Sequence, residues 1–219
     1  MSESATGLIL RTRPLTETSL IVQWLTPEFG RISTVAKGAR RPKSPFAGKL
    51  DLFYLADFSF SRSRRSELYA LREVSLRETH RKLRNELGLL QQASYCAALL
   101  QQTTETETPL PAVYELLRGL LAHLVQDPPQ PLTVFAFELK LLKELGLSPD
   151  LADNPLSAGA KRILTELVRQ DWPVLSHLKL SMAQSRELRQ FLHGFLIYHL
   201  DKIPHGRSAA LAGDLPETR

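Results

Sequence analysis

The spacing of the hydrophobic residues changes once along this chain of 219 residues, near residue 78. Before that point, short segments rich in β-branched and aromatic residues are separated by turn-forming residues. After it, leucine and alanine recur every three or four residues, as on one face of a helix. We therefore predict an α+β fold with two domains, a β-barrel over residues 1–78 and a helical domain over residues 79–219. The last residues, from about 208 to 219, are expected to form a disordered tail.

Five strands are predicted in the first domain. They cover residues 6–13, 18–26, 31–36, 50–62 and 67–74. In the fourth, apolar residues alternate with polar ones, as in a strand that is buried on one face only. Five short strands in fewer than 80 residues predict a small closed or nearly closed barrel, because an open sheet of this size would leave unpaired edges.

The second domain is predicted to be entirely helical. Helices are expected from about residue 78 to 102, and then over 109–126, 131–146, 157–171 and 182–201. Proline-containing segments such as "QDPPQP" and "DWPVLSH" separate them, because proline ends or interrupts a helix.

The composition is that of an ordinary globular protein, with 43% hydrophobic and 23% charged residues. No apolar run approaches the roughly 18 residues that a membrane span needs. The single cysteine, Cys96, excludes an internal disulfide framework and suits a reducing compartment. We expect a cytoplasmic protein without a signal peptide, with Cys96 as a small buried apolar residue in a helix.

Positive charge is concentrated in the first domain. Residues 1–82 contain fifteen lysines and arginines and eight acidic residues, against thirteen and fifteen in the remainder. An asymmetry of this kind indicates a polyanionic partner for the basic part of the chain.

The segment "VAKGARRPKSPFAGKL" (35–50) is the most basic stretch of that domain, and its glycines and prolines exclude a regular helix. Its cations are Lys37, Arg40, Arg41, Lys43 and Lys49. The turn that follows the fourth strand adds Arg62, Arg64 and Arg65. A solvated surface loop and a DNA-binding loop are both compatible with these charges. A small barrel with cationic loops favours single-strand binding, in which Phe46 is the one aromatic ring expected to be exposed for base stacking.

No catalytic or metal site is visible in the sequence. The "GARRPKS" segment lacks the second glycine of a phosphate-binding P-loop and has Pro42 where a backbone N–H is needed. The six histidines are scattered, and none pairs with Cys96 or another histidine at the spacing of metal ligands. We predict a protein that is not an enzyme and has no cofactor.

Three segments carry a resemblance to a known family. They are "ILRTRPLTETSLIVQWLTPEFGRISTVAKGARRPKSPFAGKLDLFYLADFSFSR" (9–62), "FAFELKLLKELGLSPDL" (135–151) and "LRQFLHGFLIYHLDKIPHGRSAAL" (188–211). Their order and spacing resemble those of RecO, a bacterial family of DNA repair proteins and recombination mediators. The resemblance implies an N-terminal OB-fold followed by a helical domain.

The resemblance also implies a function. Such proteins bind single- and double-stranded DNA, anneal complementary strands, and act with RecR to load RecA onto strands coated by single-strand-binding protein. A nucleoid-associated location is implied as well. The acidic tail of single-strand-binding protein would need a pocket edged by cations, for which Lys140 and Lys143 are the candidates.

One departure from the family concerns zinc. Many members carry a four-cysteine zinc module after the position of "ELGLSPDL", but residues 152–164 of this chain contain neither cysteine nor histidine. We therefore expect no zinc. Two other functions stay open at this point, an RNA-binding OB protein of the translation machinery and a nuclease or phosphotransferase with an unrecognised site.

Overall fold

The computed structural model describes residues 2–62, 68–151 and 154–212. The chain divides into two compact units. The barrel unit comprises Met1–His80 together with Thr104–Glu115, and the helical unit comprises Arg81–Thr103 and Leu116–Arg219. Sequence periodicity did not indicate that the segment from Thr104 to Glu115 returns to the barrel unit.

The barrel unit is a closed five-stranded barrel, as predicted. Its strands are β1 (Ser2–Pro14), β2 (Leu20–Thr26), β3 (Gly30–Ala36), β4 (Leu55–Ser61) and β5 (Leu68–Glu78). The strands follow one another around the barrel in the order β1-β2-β3-β5-β4. Neighbouring strands are antiparallel, except that β3 and β5 are parallel. The pairing of Ser33–Val35 in β3 with Leu68–Ala70 in β5 closes the barrel. This arrangement is that of an OB-fold.

Every second side chain along the strands points into the barrel, and these side chains form its core. In β3 and β4, buried residues alternate with half-buried ones at every position. The Trp24 ring stacks on Phe58 with centroids 3.9 Å apart, and its indole N–H donates to the Thr34 hydroxyl at 2.9 Å. That bond satisfies the one polar atom of a fully buried tryptophan, so the ring adds packing without an unpaired donor.

The fourth strand begins five residues later than predicted. Phe53 has a φ of +61°, in the left-handed region that interrupts an extended strand. Its N–H donates to the Ile9 carbonyl at 2.8 Å, and the side chain is buried. Apolar and polar residues do alternate from residue 50, but only the residues from Leu55 onward pair with neighbouring strands.

The predicted helices are present, although the first is divided at Glu86, and two additional short helices lie at Trp172–Leu175 and Arg207–Ala210. In chain order the helices are α1 (Lys82–Asn85), α2 (Leu87–Thr103), α3 (Pro111–Leu124), α4 (Pro131–Glu144), α5 (Ala158–Arg169), α6 (Trp172–Leu175), α7 (Met182–Leu200) and α8 (Arg207–Ala210). Local sequence sets several of their starts. Pro131 begins α4, and Ser181 and Gln184 form a capping box at the start of α7. Among the described residues, no helix is both long enough and apolar enough to cross a membrane.

The expected disorder from residue 208 is wrong for residues 208–212. Residues Arg207–Ala210 form α8, and Ala210 and Leu211 are each only 1% exposed. Two polar contacts hold α8. The Arg207 guanidinium binds the buried carboxylate of Glu138, and the Gln92 side chain donates to the Ala210 carbonyl at 3.0 Å. The rest of the predicted tail, residues 213–219, lies outside the described residues.

Candidate nucleic-acid interface

Residues 37–50, the first part of the connection between β3 and β4 (residues 37–54), are called the basic loop here. This loop is a series of tight turns, in which the N–H groups of Arg41, Ser44, Ala47 and Lys49 each donate to the carbonyl three residues earlier, at 3.0–3.1 Å. Gly38 and Gly48 have φ values of +70° and +71°, which a residue with a side chain adopts only with strain. The loop is therefore ordered by its own backbone although it is not helical.

Arg40 fixes one side of the basic loop to the β1–β2 turn. Its N–H donates to the Thr18 carbonyl at 2.9 Å, and its guanidinium donates to the Thr16 carbonyl at 3.3 Å. Both of these partners are neutral carbonyls, no ion pair of Arg40 occurs among the described residues, and the side chain stays exposed.

Four of the five predicted cations of the basic loop are exposed. They are Lys37, Arg40, Arg41 and Lys43. Lys49 is half-buried and lines, with Arg72, a depression of about 420 Å³ on the barrel, whose lining also includes Asp57 and Glu73. Residues 37–50 contain no acidic residue, and Asp51 follows directly in the same connection. The basic loop therefore presents positive charge without a carboxylate of its own to neutralise it.

The expectation of an exposed Phe46 ring is wrong. Phe46 is 7% exposed and belongs to the hydrophobic cluster inside the barrel. Its N–H donates to the Ser44 hydroxyl at 3.2 Å, which fixes the turn that directs the ring inward. A small barrel has few side chains to fill its core, and burying an aromatic ring from a neighbouring loop there is more favourable than exposing it to water.

Arg62 is engaged with its neighbours. Its Nε lies 2.7 Å from a carboxylate oxygen of Glu3, and its guanidinium lies 5.6 Å from the centre of the Phe29 ring and 5.3 Å from that of Tyr69. The Glu3 carboxylate raises the pKa of Arg62 and offsets its charge. The charge of Arg62 is thus less available to an anion than that of the exposed cations of the basic loop. Arg64 and Arg65, predicted beside it, lie outside the described residues.

A third set of cations lies on the strands β1 and β3. Arg11 and Arg13 are exposed, and Arg31 is half-buried. Arg13, Arg31, Gln23 and Glu107 contribute to the lining of a second depression of about 420 Å³. Burial lowers the pKa of Arg31, partly opposed by the charge of Glu105.

Sequence reasoning missed the segment that completes this depression. Arg31 donates to the hydroxyl and the carbonyl of Thr104, the Glu107 N–H donates to the Arg31 carbonyl at 2.9 Å, and Arg31 pairs with Thr106 as an isolated parallel bridge. The Tyr69 hydroxyl donates to Glu107 at 2.5 Å. From the sequence, the "TTETETP" stretch was interpreted as the end of a helix. No local pattern predicted that it pairs with β3 at Arg31.

The two lysines predicted to bind a partner differ in their surroundings. The Lys140 ammonium donates to the carbonyls of Val168 and Gln170, at 3.3 and 2.7 Å, at the end of α5, and lies 5.9 Å from the centre of the Trp172 ring. Burial lowers the pKa of Lys140. Lys143 is exposed. Lys140 therefore stabilises the helical unit, and only Lys143 presents its charge freely to solvent.

The described part of the chain offers no cluster of zinc ligands. Within the described ranges, no group of three or more His, Cys, Asp or Glu side chains could hold a metal ion. Cys96 is fully buried in α2, as predicted, and burial raises the pKa of its thiol well above the usual value. A protonated thiol in an apolar site is neither a ready nucleophile nor a metal ligand.

Comparison with known proteins gives a consistent family. Residues 1–80 match the family described as "Recombination protein O N terminal", and residues 84–154 match "Recombination protein O C terminal". A protein of Anaeromyxobacter sp. (strain K), called DNA repair protein RecO, is 35% identical over 146 residues, covering 67% of this chain and 58% of that protein. The protein of the same name from Bacillus pumilus (strain SAFR-032) is 33% identical over 155 residues, covering 71% and 59%.

The match extends further in another relative. The DNA repair protein RecO of Anaeromyxobacter dehalogenans (strain 2CP-C) is 28% identical over 231 residues, covering 90% of this chain and 91% of that protein. For the first relative and the Bacillus protein, by contrast, the chain spans less than two thirds of the relative's length. The barrel, the helical region after it and these matches agree, and the chain belongs to the RecO family of DNA repair proteins.

Proposed function

We propose that this protein binds DNA through the phosphates of the backbone and that the basic loop is its main DNA surface. The observation that carries the proposal is the set of four exposed cations, Lys37, Arg40, Arg41 and Lys43, on a loop that is ordered by its own hydrogen bonds. Cations on a backbone that is already ordered lose less backbone freedom when DNA binds than cations on a flexible segment would.

Recognition should be largely independent of base sequence. Trp24, Phe58, Phe60 and Phe46 are all buried in the barrel, so these rings do not stack on bases. Lys and Arg contacts to phosphates position a strand but carry no direct sequence information. A protein that must act at any site of damage requires this kind of binding.

The family supports a wider role, which we propose for this chain as well. It would be a non-enzymatic mediator that binds single- and double-stranded DNA and anneals complementary strands. Together with RecR it would help RecA load onto strands coated by single-strand-binding protein, in association with the nucleoid. Annealing of coated complementary strands, measured without any nucleotide, tests this role directly.

The rival functions have less support. No described feature distinguishes an RNA ligand, and membership of a DNA repair family favours DNA. Affinities for DNA and RNA of one sequence, measured side by side, would separate the two. A nuclease or phosphotransferase site has no support among the described residues, and turnover of DNA in the presence of a divalent metal would reveal one.

Removing three cations from the basic loop tests the DNA surface. The variant Arg40→Ala/Arg41→Ala/Lys43→Ala should lower the slope of log affinity against log salt by about two on single strands, since each phosphate contact contributes about 0.7. Affinity should fall alike for all sequences. Fluorescence anisotropy with labelled oligonucleotides over a salt series measures both quantities.

A matched control removes the same charge elsewhere. Arg162, Arg169 and Lys179 are exposed on the helical unit, and replacing all three by alanine should leave the slope nearly unchanged. Thermal unfolding should match that of the wild type in both triple variants. If the loop variant folds normally and keeps the full salt slope, the basic loop is only a solvated surface.

Binding of the acidic tail of single-strand-binding protein is proposed for the helical unit, with Lys143 as the cation involved. Because Lys140 is held by the end of α5, its reversal would disturb packing, and Lys143→Glu is the cleaner change. We expect it to weaken binding of a tail peptide about fivefold, the effect of one exposed charge contact. Lys179→Glu is the control, and equal peptide affinity in both variants and the wild type would place the pocket elsewhere.

A further inference from the structure

The helix α7 carries a group of cations that is separate from the basic loop. Arg186, Arg189 and His193 stand at positions i, i+3 and i+7, which places them on one face of the helix. This face lines a depression of about 280 Å³ in the helical unit. The other lining residues are Gln190, Arg207, Ser208 and Leu211. No acidic side chain is among the described residues that line it.

The charges in this depression are only partly compensated. Arg207 is neutralised by its buried partner Glu138, with contacts of 2.7 and 2.9 Å. Arg189 donates to the Leu211 carbonyl at 2.6 Å, which orients the side chain without cancelling its charge. In the part of the chain that the structure describes, neither Arg186 nor His193 has a hydrogen-bond or ion-pair partner. Two guanidinium groups are thus available to an anion.

The shape and chemistry of the depression favour a phosphodiester strand over an acidic peptide. Seven residues of helix span about 10 Å, which is long enough to meet more than one phosphate, since each strand of a duplex rises about 3.4 Å per phosphate. Guanidinium groups bind phosphate oxygens in a bidentate manner. A peptide with apolar residues needs an apolar anchor point, but Leu211, the one apolar residue among the described lining residues, is only 1% exposed.

We propose that this face of α7 binds the phosphate backbone of a nucleic-acid strand, as a second contact besides the basic loop. The choice of nucleic acid as ligand rests on the proposed function, whereas the existence of the anion site does not. A protein that anneals strands needs more than one place to hold them, and the α7 face supplies such a place.

The test uses the full chain and a labelled single strand of mixed sequence, about 30 nucleotides long. The variant Arg186→Gln/Arg189→Gln should lower the slope of log affinity against log salt by about 1.4, since two contacts are lost. The control Arg162→Gln/Arg169→Gln removes the same charge from α5, where both arginines are exposed, and should leave the slope unchanged.

A second variant guards against misfolding. Arg189 contacts the Leu211 carbonyl, so its loss could loosen α8. Arg186→Gln/His193→Gln avoids that contact and should still lower the slope by about 0.7. An unchanged slope in this second variant, with normal thermal unfolding, would overturn the proposal.

A labelled decamer of glutamate separates the two kinds of anion. If both α7 variants lose decamer binding while keeping the full DNA salt slope, the site belongs to an acidic peptide and the proposal is overturned. If the α7 variants lower the slope while the basic-loop variant does not, the α7 inference stands and the assignment of the main DNA surface fails.

Discussion

Replacement of Arg207 by methionine is expected to destabilise the helical unit by about 3–5 kcal/mol, because it leaves the Glu138 carboxylate buried without its partner. Glu138 is 0% exposed, and Arg207 is 7% exposed. Although burial alone would lower the pKa of Arg207, the hydrogen bonds and charge of Glu138 outweigh it, and the pKa is raised. The remaining hydrogen bond to Glu138, from the Tyr95 hydroxyl at 2.6 Å, cannot replace a charge.

A double variant separates the charge from the packing. Arg207→Met/Glu138→Gln removes both charges, keeps a similar volume and leaves an amide oxygen to accept from the Tyr95 hydroxyl, so it should recover much of the lost stability. Urea denaturation followed by circular dichroism gives both free energies. Equal losses in the single and double variants would mean that the pair stabilises α8 mainly through packing.

The order of elements follows from the sequence because local patterns determine it. Alternation in β3 and the 3.6-residue spacing in α7 each reflect one buried face, and short-range signals such as the Ser181 capping box set helix starts. Closure of the barrel was predictable from the number and length of the strands, since an open sheet of five short strands would leave unpaired edges.

Long-range placements could not be read from the sequence. The segment Thr104–Glu115 belongs to the barrel unit through the Arg31 contacts, which join residues 73 apart in the chain. The end of the chain was expected to be disordered, yet α8 is held through the buried carboxylate of Glu138, which lies 69 residues from Arg207 in the chain. No window of a few residues contains either relationship.

The sequence predicted which residues give the candidate site its charge, but not which of those cations are free of partners within the protein. Composition and turn residues identified the basic loop, and its exposed cations agree with that prediction. In the sequence, Arg62 and Lys140 cannot be distinguished from the cations of the basic loop. In the structure, Glu3 offsets the charge of Arg62, and carbonyls at the end of α5 bind the ammonium of Lys140. Counting charges overestimates a binding surface wherever cations have structural partners.

Replacement of Phe46 by alanine is expected to destabilise the barrel unit by about 3–5 kcal/mol, as truncation of a buried phenylalanine does elsewhere. The ring belongs to the same buried cluster as Trp24 and Phe58, and its loss would open a cavity under the basic loop. The cations of the loop would then lose their anchor, so DNA affinity should fall as a consequence of unfolding. The alanine variant alone cannot distinguish this from lost base stacking.

The variant Phe46→Leu makes that distinction. Leucine keeps an apolar plug in the barrel and should cost much less stability than alanine. A ring that stacked on a base would contribute about 1–3 kcal/mol to binding, so its loss would weaken DNA binding about fivefold to more than a hundredfold. Because Phe46 is buried, we expect DNA affinity in Phe46→Leu to stay within about twofold of the wild type under conditions where the variant is folded. A larger loss, with an intact unfolding curve, would show that the ring leaves the barrel when DNA binds.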